Sequence, residues 1–376
     1  MKTFKIGLIG FGFIGKVHAQ AYHSIPYCFP DSPFKAQITA VLRNHPTQDE
    51  DLLQTLQIPL CTNDERLFWE QDFDILDICT PNSSHYAYCK KAIEKNIPIY
   101  CEKPLTNNIE EARTLVKLAE ERNLATHTAF TLRFRPAVAL AKDILTSKYL
   151  GEIYHFQTRF FHSSYLDPNR PMSWRLQANI AGGGALTDLG IHSFDLIHYL
   201  LGDCEWLQCQ TKTFIKTRPK INQTEPAIVD VDDWAHCILQ IKNGGIGSVE
   251  SSRMAGGSDD LTDLEIYGSQ GSLKIDFNHP EKLYLFDATK KCWILSETLP
   301  HDIPATFSNS FLWPATKQSL GAPLNAHIAS IVNFFNCLEK GIPSSATFKD
   351  ACASQEFLHA AYCSAAEEGE KVFLPA

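Results

Sequence analysis

The stretch FKIGLIGFGFIGKVHAQAYHSI, residues 4–25, sets the tightest limit on how this chain folds. Its first half is a short apolar run suited to a buried strand, and its second half carries helical spacing. Between them stand Gly10, Gly12 and Gly15, spaced Gly-x-Gly-x-x-Gly. Gly10 permits a tight turn, Gly12 lets backbone come close to a pyrophosphate, and Gly15 lets strand and helix pack closely. The helix start, with Phe13 and Ile14 in its first turn, offers free amides and a partial positive charge to phosphate oxygens. The spacing alone is common; a strand before it and a helix after it give it the context of a dinucleotide site.

The rest of the first third continues the alternation. AQITAVLRN, FDILDICTP, IPIYCEKP and LATHTAFTL read as strands, with helical stretches such as SHYAYCKKAIEKN and NIEEARTLVKLAEERN between them. Continuous apolar strands alternating with helices predict a doubly wound parallel sheet covered on both faces, the Rossmann arrangement. After residue 132 the pattern changes to alternating runs, EIYHFQTRFFH, DWAHCILQIKNGGIGSVESSR and LTDLEIYGSQGSLKIDF, whose KNGG and GSQGS turns have hairpin chemistry. The fold class expected is α/β: a dinucleotide-binding domain over 1–132, then a second domain over 133–376 with a mostly antiparallel sheet and a few helices.

Composition narrows the partners. The net charge is −9 and no long run of Lys or Arg occurs, which argues against a grip on nucleic acid or an anionic membrane. No segment reaches the roughly 18 uncharged apolar residues of a membrane span. The apolar N-terminus is broken by four glycines, unlike a signal peptide. The twelve cysteines are scattered with no Cys-x-x-Cys pair, which fits free thiols in a reducing cytoplasm.

In an open parallel sheet, ligands sit beyond the carboxyl ends of the strands. The second strand ends at Arg43 and Asn44, where a carboxylate for a ribose 2′-hydroxyl is usual, and none comes before Asp49. An Arg there pairs with a 2′-phosphate, which favours NADP over NAD, or else it is a solvated surface residue. The next two strand ends supply Thr80, Asn82 and His85, then Glu102 and Lys103, all expected to line the cofactor. Lys103 is either aimed at a substrate hydroxyl beside the nicotinamide or is a surface Lys with its head in water.

The second half carries GGGALTDLGIH, with Asp188 and His192 four residues apart and on one face if helical. They are a proton acceptor and its orienter, two metal ligands, or a pair that braces a helix. A metal needs a third ligand at compatible spacing, and none is apparent nearby, so no metal is expected. Trp174 and Arg175 suit a polyhydroxylated or anionic substrate, or a domain interface. Of Arg133 and Arg135, one is expected at the substrate and the other in a structural role; Arg133 is assigned to the substrate.

These elements in this order, Gly10-x-Gly12-x-x-Gly15, TPNSSH, EKPL, RFRP, WR…GGGALTDLGIH and the ending AAYCSAAEEGEKVFLP, resemble the glucose–fructose oxidoreductase / inositol dehydrogenase / rhizopine-catabolism (Gfo/Idh/MocA) family over nearly the whole chain. The resemblance implies that Lys103, Asp188 and His192 match the family's catalytic Lys, Asp and His. It also implies that residues 133–376 form an α/β substrate-binding and oligomerisation domain with a large open, mostly antiparallel sheet, a homodimer or homotetramer built through that sheet, and a sugar, inositol or related polyol as substrate, with NAD or NADP. The expected reaction is hydride transfer between a secondary alcohol and the nicotinamide, with His192 as base, Asp188 holding its ring and Lys103 on the same oxygen; the roles of Lys103 and His192 are interchangeable at this level. The alternative is a regulatory protein that senses a dinucleotide without catalysis, since the family includes a yeast galactose-pathway repressor.

Overall fold

Residues 1–221, 225–258, 260–279, 281–296 and 313–375 are described by the structure, a computed structural model. The apolar runs of the first third form strands β1 (Lys2–Ile9), β2 (Phe34–Leu42), β4 (Ile75–Ile78), β5 (Ile99–Cys101) and β6 (Thr126–Thr128), joined by a two-residue β3 (Cys61–Thr62). β3 escapes sequence reading because two residues carry no period. The order is β3-β2-β1-β4-β5-β6, with every neighbour pair parallel. Chain direction across the sheet reverses between β1 and β4, so the crevice for a ligand lies at their carboxyl ends. β4, β5 and β6 are buried along their whole length, as strands covered on both faces must be. The run expected as the last strand shortens to three residues and gives way to a 3₁₀ turn, Thr131–Phe134, a common economy at a sheet edge.

The chain divides into two compact units. The first holds Met1–Thr106, Glu110–Phe134 and, of the described residues, 313–351; the second holds Asn107–Ile109, 135–296 and 352–375. A single boundary at 132 therefore differs from the structure: the first unit runs on to Phe134, Asn107–Ile109 lie in the second and, most extensively, the helix Ala322–Lys340 returns to the first. The reason is its apolar stripe. Ile328, Ile331, Val332 and Phe335 are buried at i, i+3, i+4 and i+7. Phe335 lies 4.4 Å from Phe4, ring to ring, and 6.2 Å from both Phe34 and Tyr22. Burying such side chains stabilises by about 1.5–3 kcal/mol each.

The second unit is built on nine strands: β7 (Ile153–Phe161), β8 (Cys204–Lys212), β11 (Trp234–Ile241), β12 (Ile246–Ser252), β13 (Leu261–Gly268), β14 (Gly271–Asp276), β15 (Leu283–Asp287), β16 (Cys292–Leu295) and β17 (Val372–Phe373); β9 (Thr217–Arg218) and β10 (Ala227–Ile228) pair separately. The order is β16-β15-β14-β13-β7-β12-β11-β8-β17, antiparallel throughout except β7 beside β12. On β11, Ala235, Cys237, Leu239 and Ile241 are buried, while Trp234, His236, Ile238 and Gln240 face the other way. That second face carries the ion pair Arg159–Asp263 and the stacked rings of His155 and Tyr267. Among the described residues no helix is long and apolar enough to cross a membrane. All twelve cysteines are free.

Candidate active site

The glycine turn has the geometry its spacing requires. Gly10 has φ +92°, and a Cβ there would stand 2.5 Å from the Cys79 carbonyl oxygen. A Cβ on Gly15 would stand 2.2 Å from the Gly10 carbonyl oxygen. Gly12 differs: a Cβ would meet nothing within 4 Å, so this position is an open cradle. Gly12 caps the helix Phe13–Cys28 without a side-chain hydrogen bond, and no acidic residue occupies the first turn. Phe13 is exposed and Ile14 half-buried. An open cradle beside uncapped amides fits a dinucleotide's diphosphate.

At the end of β2, Arg43 donates to Asp49 Oδ2 (2.9 Å), Gln48 O (3.2 Å) and Gln48 Oε1 (3.1 Å), and its guanidinium lies 5.4 Å from the centre of the Phe11 ring. Lys16 donates to the other Asp49 oxygen at 2.7 Å. The Lys16 ammonium, then the Arg43 guanidinium, hold the Asp49 carboxyl below its usual range. Two cations thus face one carboxylate here. Asn44 next to them is exposed.

Beyond β4, Thr80 accepts a hydrogen bond from Ser84 at 2.7 Å, and Asn82 opens a 3₁₀ turn. The structure gives His85 a different task from the expected contact with cofactor. Its ring is fully buried, and its two nitrogens lie 2.9 Å from the carbonyls of Thr80 and Pro104. It staples the tip of β4 to that of β5. Burial opposes a charge on this ring, but the Cys101 thiol and the two carbonyls outweigh it and push it up to about 9. Glu102 is likewise turned inward. Its Oε1 meets His18 Nε2 at 3.1 Å and its Oε2 accepts the Lys103 peptide N–H at 3.1 Å. Lys103 itself is half-buried at the carboxyl tip of β5, and the Lys103–Pro104 peptide is cis.

Arg133 is corrected from a substrate residue to a structural one. Its side chain is 2% exposed and donates to Ser345 O (2.6 Å) and Asp350 Oδ1 (3.2 Å) within the first unit. A buried guanidinium must take such partners, which leaves it committed. Arg135 is also engaged, donating to Phe277 O at 2.9 Å within the second unit.

In the second unit, GGGALTDLGIH forms a π turn, Leu186–Gly190, running into the helix Ile191–Leu201. Sequence patterning alone reads this as one α-helix; π turns are rare and recur at functional sites. The start is pinned by Asp232, which accepts from Gly184 N–H (2.8 Å), Leu186 N–H (2.8 Å) and the Tyr362 hydroxyl (2.7 Å). Asp188 Oδ2 accepts from Arg253 Nη2 at 3.0 Å. Arg253 is buried, lies over the Tyr165 ring at 4.9 Å and also donates to Arg175 O at 3.3 Å. His192 is half-buried, its ring 5.8 Å from that of Phe160. Trp174 and Arg175 are half-buried and stack on each other, guanidinium to ring centre 4.3 Å.

Sequence reading missed His18, Asp77, Asp232, Arg253 and Tyr362. His18 carried a faint signal, an imidazole on the apolar side of the first helix, and Arg253 another, a charge closing the strand run GSVESSR.

Comparison with known proteins agrees with this architecture. A family model described as "Oxidoreductase family, NAD-binding Rossmann fold" matches residues 4–130, and one described as "GFO/IDH/MocA C-terminal domain" matches residues 138–274. The levoglucosan dehydrogenase of Pseudarthrobacter phenanthrenivorans is 30% identical over 363 residues, 93% of each chain. The chain belongs to the Gfo/Idh/MocA oxidoreductase family. A solved structure of levoglucosan dehydrogenase in complex with NADH and L-sorbose superimposes with a TM-score of 0.90 at 31% identity, covering 100% of both chains. The glucose-6-phosphate 3-dehydrogenase of Bacillus subtilis is 25% identical over 360 residues, 94% of each chain. As a Gfo/Idh/MocA member the protein is a nicotinamide-dependent oxidoreductase acting on CH–OH groups of sugars or related polyols.

Proposed function

We propose that the protein transfers hydride reversibly between a secondary alcohol carbon of a cyclic sugar, anhydrosugar or inositol and NADP or NAD, with Lys103, Asp188 and His192 as its catalytic residues. The observation that carries this is the place of Lys103: the carboxyl tip of the strand next but one to β1, past the switch point, at the ligand end of the sheet. When bound, the nicotinamide supplies the hydride chemistry. The chain's own groups manage the oxygen. As the C–H electron pair leaves carbon, the alcohol proton passes to His192 or to Lys103, and the other of the two hydrogen-bonds the oxygen as charge develops on it. Asp188, steadied by Arg253, orients the His192 ring. Trp174 offers an aromatic face to the substrate ring, flanked by the Arg175 guanidinium.

The test is to incubate the protein with NADP or NAD and a panel of levoglucosan, inositols, glucose and glucose 6-phosphate, following reduced nicotinamide by absorbance. Turnover on at least one is expected. Tight dinucleotide binding with no turnover on any of them would favour the sensor reading instead.

NADP is the preferred cofactor in this reading, because Lys16 and Arg43 outnumber Asp49 where a 2′-phosphate would lie. Arg43→Ala is expected to lower kcat/KM for NADP by about 10- to 100-fold and to leave that for NAD nearly unaltered. An unchanged NADP-to-NAD ratio would remove Arg43 from cofactor choice.

The second copy expected to cover the nine-stranded sheet is another chain of the same kind. Its outward face presents Ile238, Ile246, Tyr284 and Trp293, each 38–44% exposed, among charged pairs, a mixture suited to a self-complementary interface. Light scattering should give a dimer or tetramer; a monomer at micromolar concentration would reject it.

A further inference from the structure

We propose that Glu102 is the positioning residue for Lys103, fixed in place by His18 held as an imidazolium between Glu102 and Asp77. This deepens the reading of Lys103 above and rests on it. His18 projects from the first helix and is fully buried. Its Nδ1 lies 2.9 and 3.2 Å from the two Asp77 oxygens, and its Nε2 lies 3.1 Å from Glu102 Oε1. Ionised carboxylates only accept hydrogen bonds. Both ring nitrogens therefore need a hydrogen, and the ring carries a charge. A buried carboxylate without partners is costly; here the shared imidazolium and further donors offset part of that cost. Asp77 receives those further donors from Tyr22 Oη at 3.0 Å and Cys79 Sγ at 3.4 Å. The remaining Glu102 oxygen takes the Lys103 N–H.

The groups around the ring are Asp77 and Cys79 from β4 and its end, Tyr100 and Glu102 from β5 and its end, and His327 from the helix Ala322–Lys340, whose ring centre is 5.1 Å away; Tyr22 on its own helix reaches Asp77. Burial opposes the charge on His18, but Asp77 and then Cys79 raise the ring well above its ordinary value. Burial likewise opposes ionisation of Glu102, and the His18 hydrogen bond and charge hold its carboxyl at about 2. His127 shows that burial alone does not decide this. It is also fully buried, but its nitrogens face the hydroxyls of Ser344 and Ser330, which can donate as well as accept. Burial, then Arg133, push that ring down to about 3.

A chain of contacts thus runs from helix to ring to carboxylate to the peptide that bears Lys103. Loss of one such clamp lets the amine drift, and a misplacement of about 1 Å costs roughly 10²-fold in rate.

The experiment compares Glu102→Ala with Glu102→Gln, and reads His18 by ¹⁵N NMR of imidazole-labelled protein. In Glu102→Gln the amide oxygen can keep the Lys103 N–H while its NH₂ faces a neutral His18. Glu102→Ala should lose about 10²-fold in kcat with dinucleotide affinity within about three-fold. Glu102→Gln should recover most of that loss, and its His18 should become neutral while the parent's stays protonated at pH 8. Glu102→Ala with parental kcat, or Glu102→Gln no better than Glu102→Ala, would overturn the proposal. If these variants do not fold, a neutral His18 in the parent at pH 8 overturns it and a protonated one supports it. His18, Asp77 and Cys79 also stand close enough to share a metal ion, so stoichiometric metal in the purified protein would overturn it too. Lys103→Ala separates the two readings. If it is inactive and Glu102→Ala is not, only the positioning proposal falls; if it is active, the role of Lys103 falls first.

Discussion

Lys103→Ala is expected to turn over its polyol substrate about 10²–10⁴-fold more slowly than the parent, with the dissociation constant for dinucleotide changed by less than about three-fold. The two halves of this result come from different parts of one residue. The Lys103 peptide N–H is held by Glu102, so an alanine there keeps the backbone course of the strand tip. What is lost is the ammonium and its stem, the only part that reaches substrate oxygen in the proposed mechanism. General acid–base help is worth the stated factor, and phosphate binding at the glycine turn does not involve this side chain. Rapid-quench turnover beside fluorescence titration with NADPH checks both halves. Parental turnover would strike Lys103 from the mechanism; a collapse of affinity equal to the loss of rate would recast it as a cofactor anchor.

Gly12→Ala and Gly15→Ala are expected to fail in opposite ways. The added methyl at 15 would lie 2.2 Å from a backbone carbonyl that it cannot displace without moving the turn. Overpacking of this kind costs about 1–3 kcal/mol and occasionally more, so thermal unfolding of Gly15→Ala should begin well below that of the parent. At 12 the methyl meets open space, and φ is −77°, a value any residue adopts. Gly12→Ala should therefore keep the parental melting temperature in the absence of dinucleotide. It should bind dinucleotide at least about ten-fold more weakly, about 1.4 kcal/mol, because the methyl occupies ground that a diphosphate needs. A stable Gly12→Ala that still binds NADP and NAD normally would mean that the diphosphate does not pass over this glycine.

What the sequence made legible was whatever lies close along the chain. Gly10, Gly12 and Gly15 fall within six residues of one another, and their demands on backbone are local. The strand tips at Thr80 and Lys103 followed from apolar run length and the position of proline. The partners of those residues were not legible. His18 meets Glu102 across 84 positions and Arg253 meets Asp188 across 65, and nothing in a single sequence links such pairs. The sequence points His85 and Glu102 at the cofactor because both follow strand ends on its side of the sheet. Their side chains turn inward instead: the carbonyls of Thr80 and Pro104 at the strand tips engage His85, and His18 on the first helix engages Glu102. The same limit explains Arg133: RFRP gives two guanidiniums at one place, and only three-dimensional packing tells that Asp350 claims the first.

The return of residues 322–340 to the first unit bears on how the protein is made. A ribosome releases β1 through β6 long before it reaches Ile328 and Phe335. Until then the nascent domain has Phe4, Tyr22 and Phe34 uncovered on the side that this helix will occupy. Synthesis runs at about 5–20 residues per second, so the stretch between Phe134 and Ala322 leaves that apolar side wet for some ten seconds or more. A chaperone that shields hydrophobic surface has its natural client in that interval, and an expression fragment ending at Phe134 would carry the same bare patch permanently.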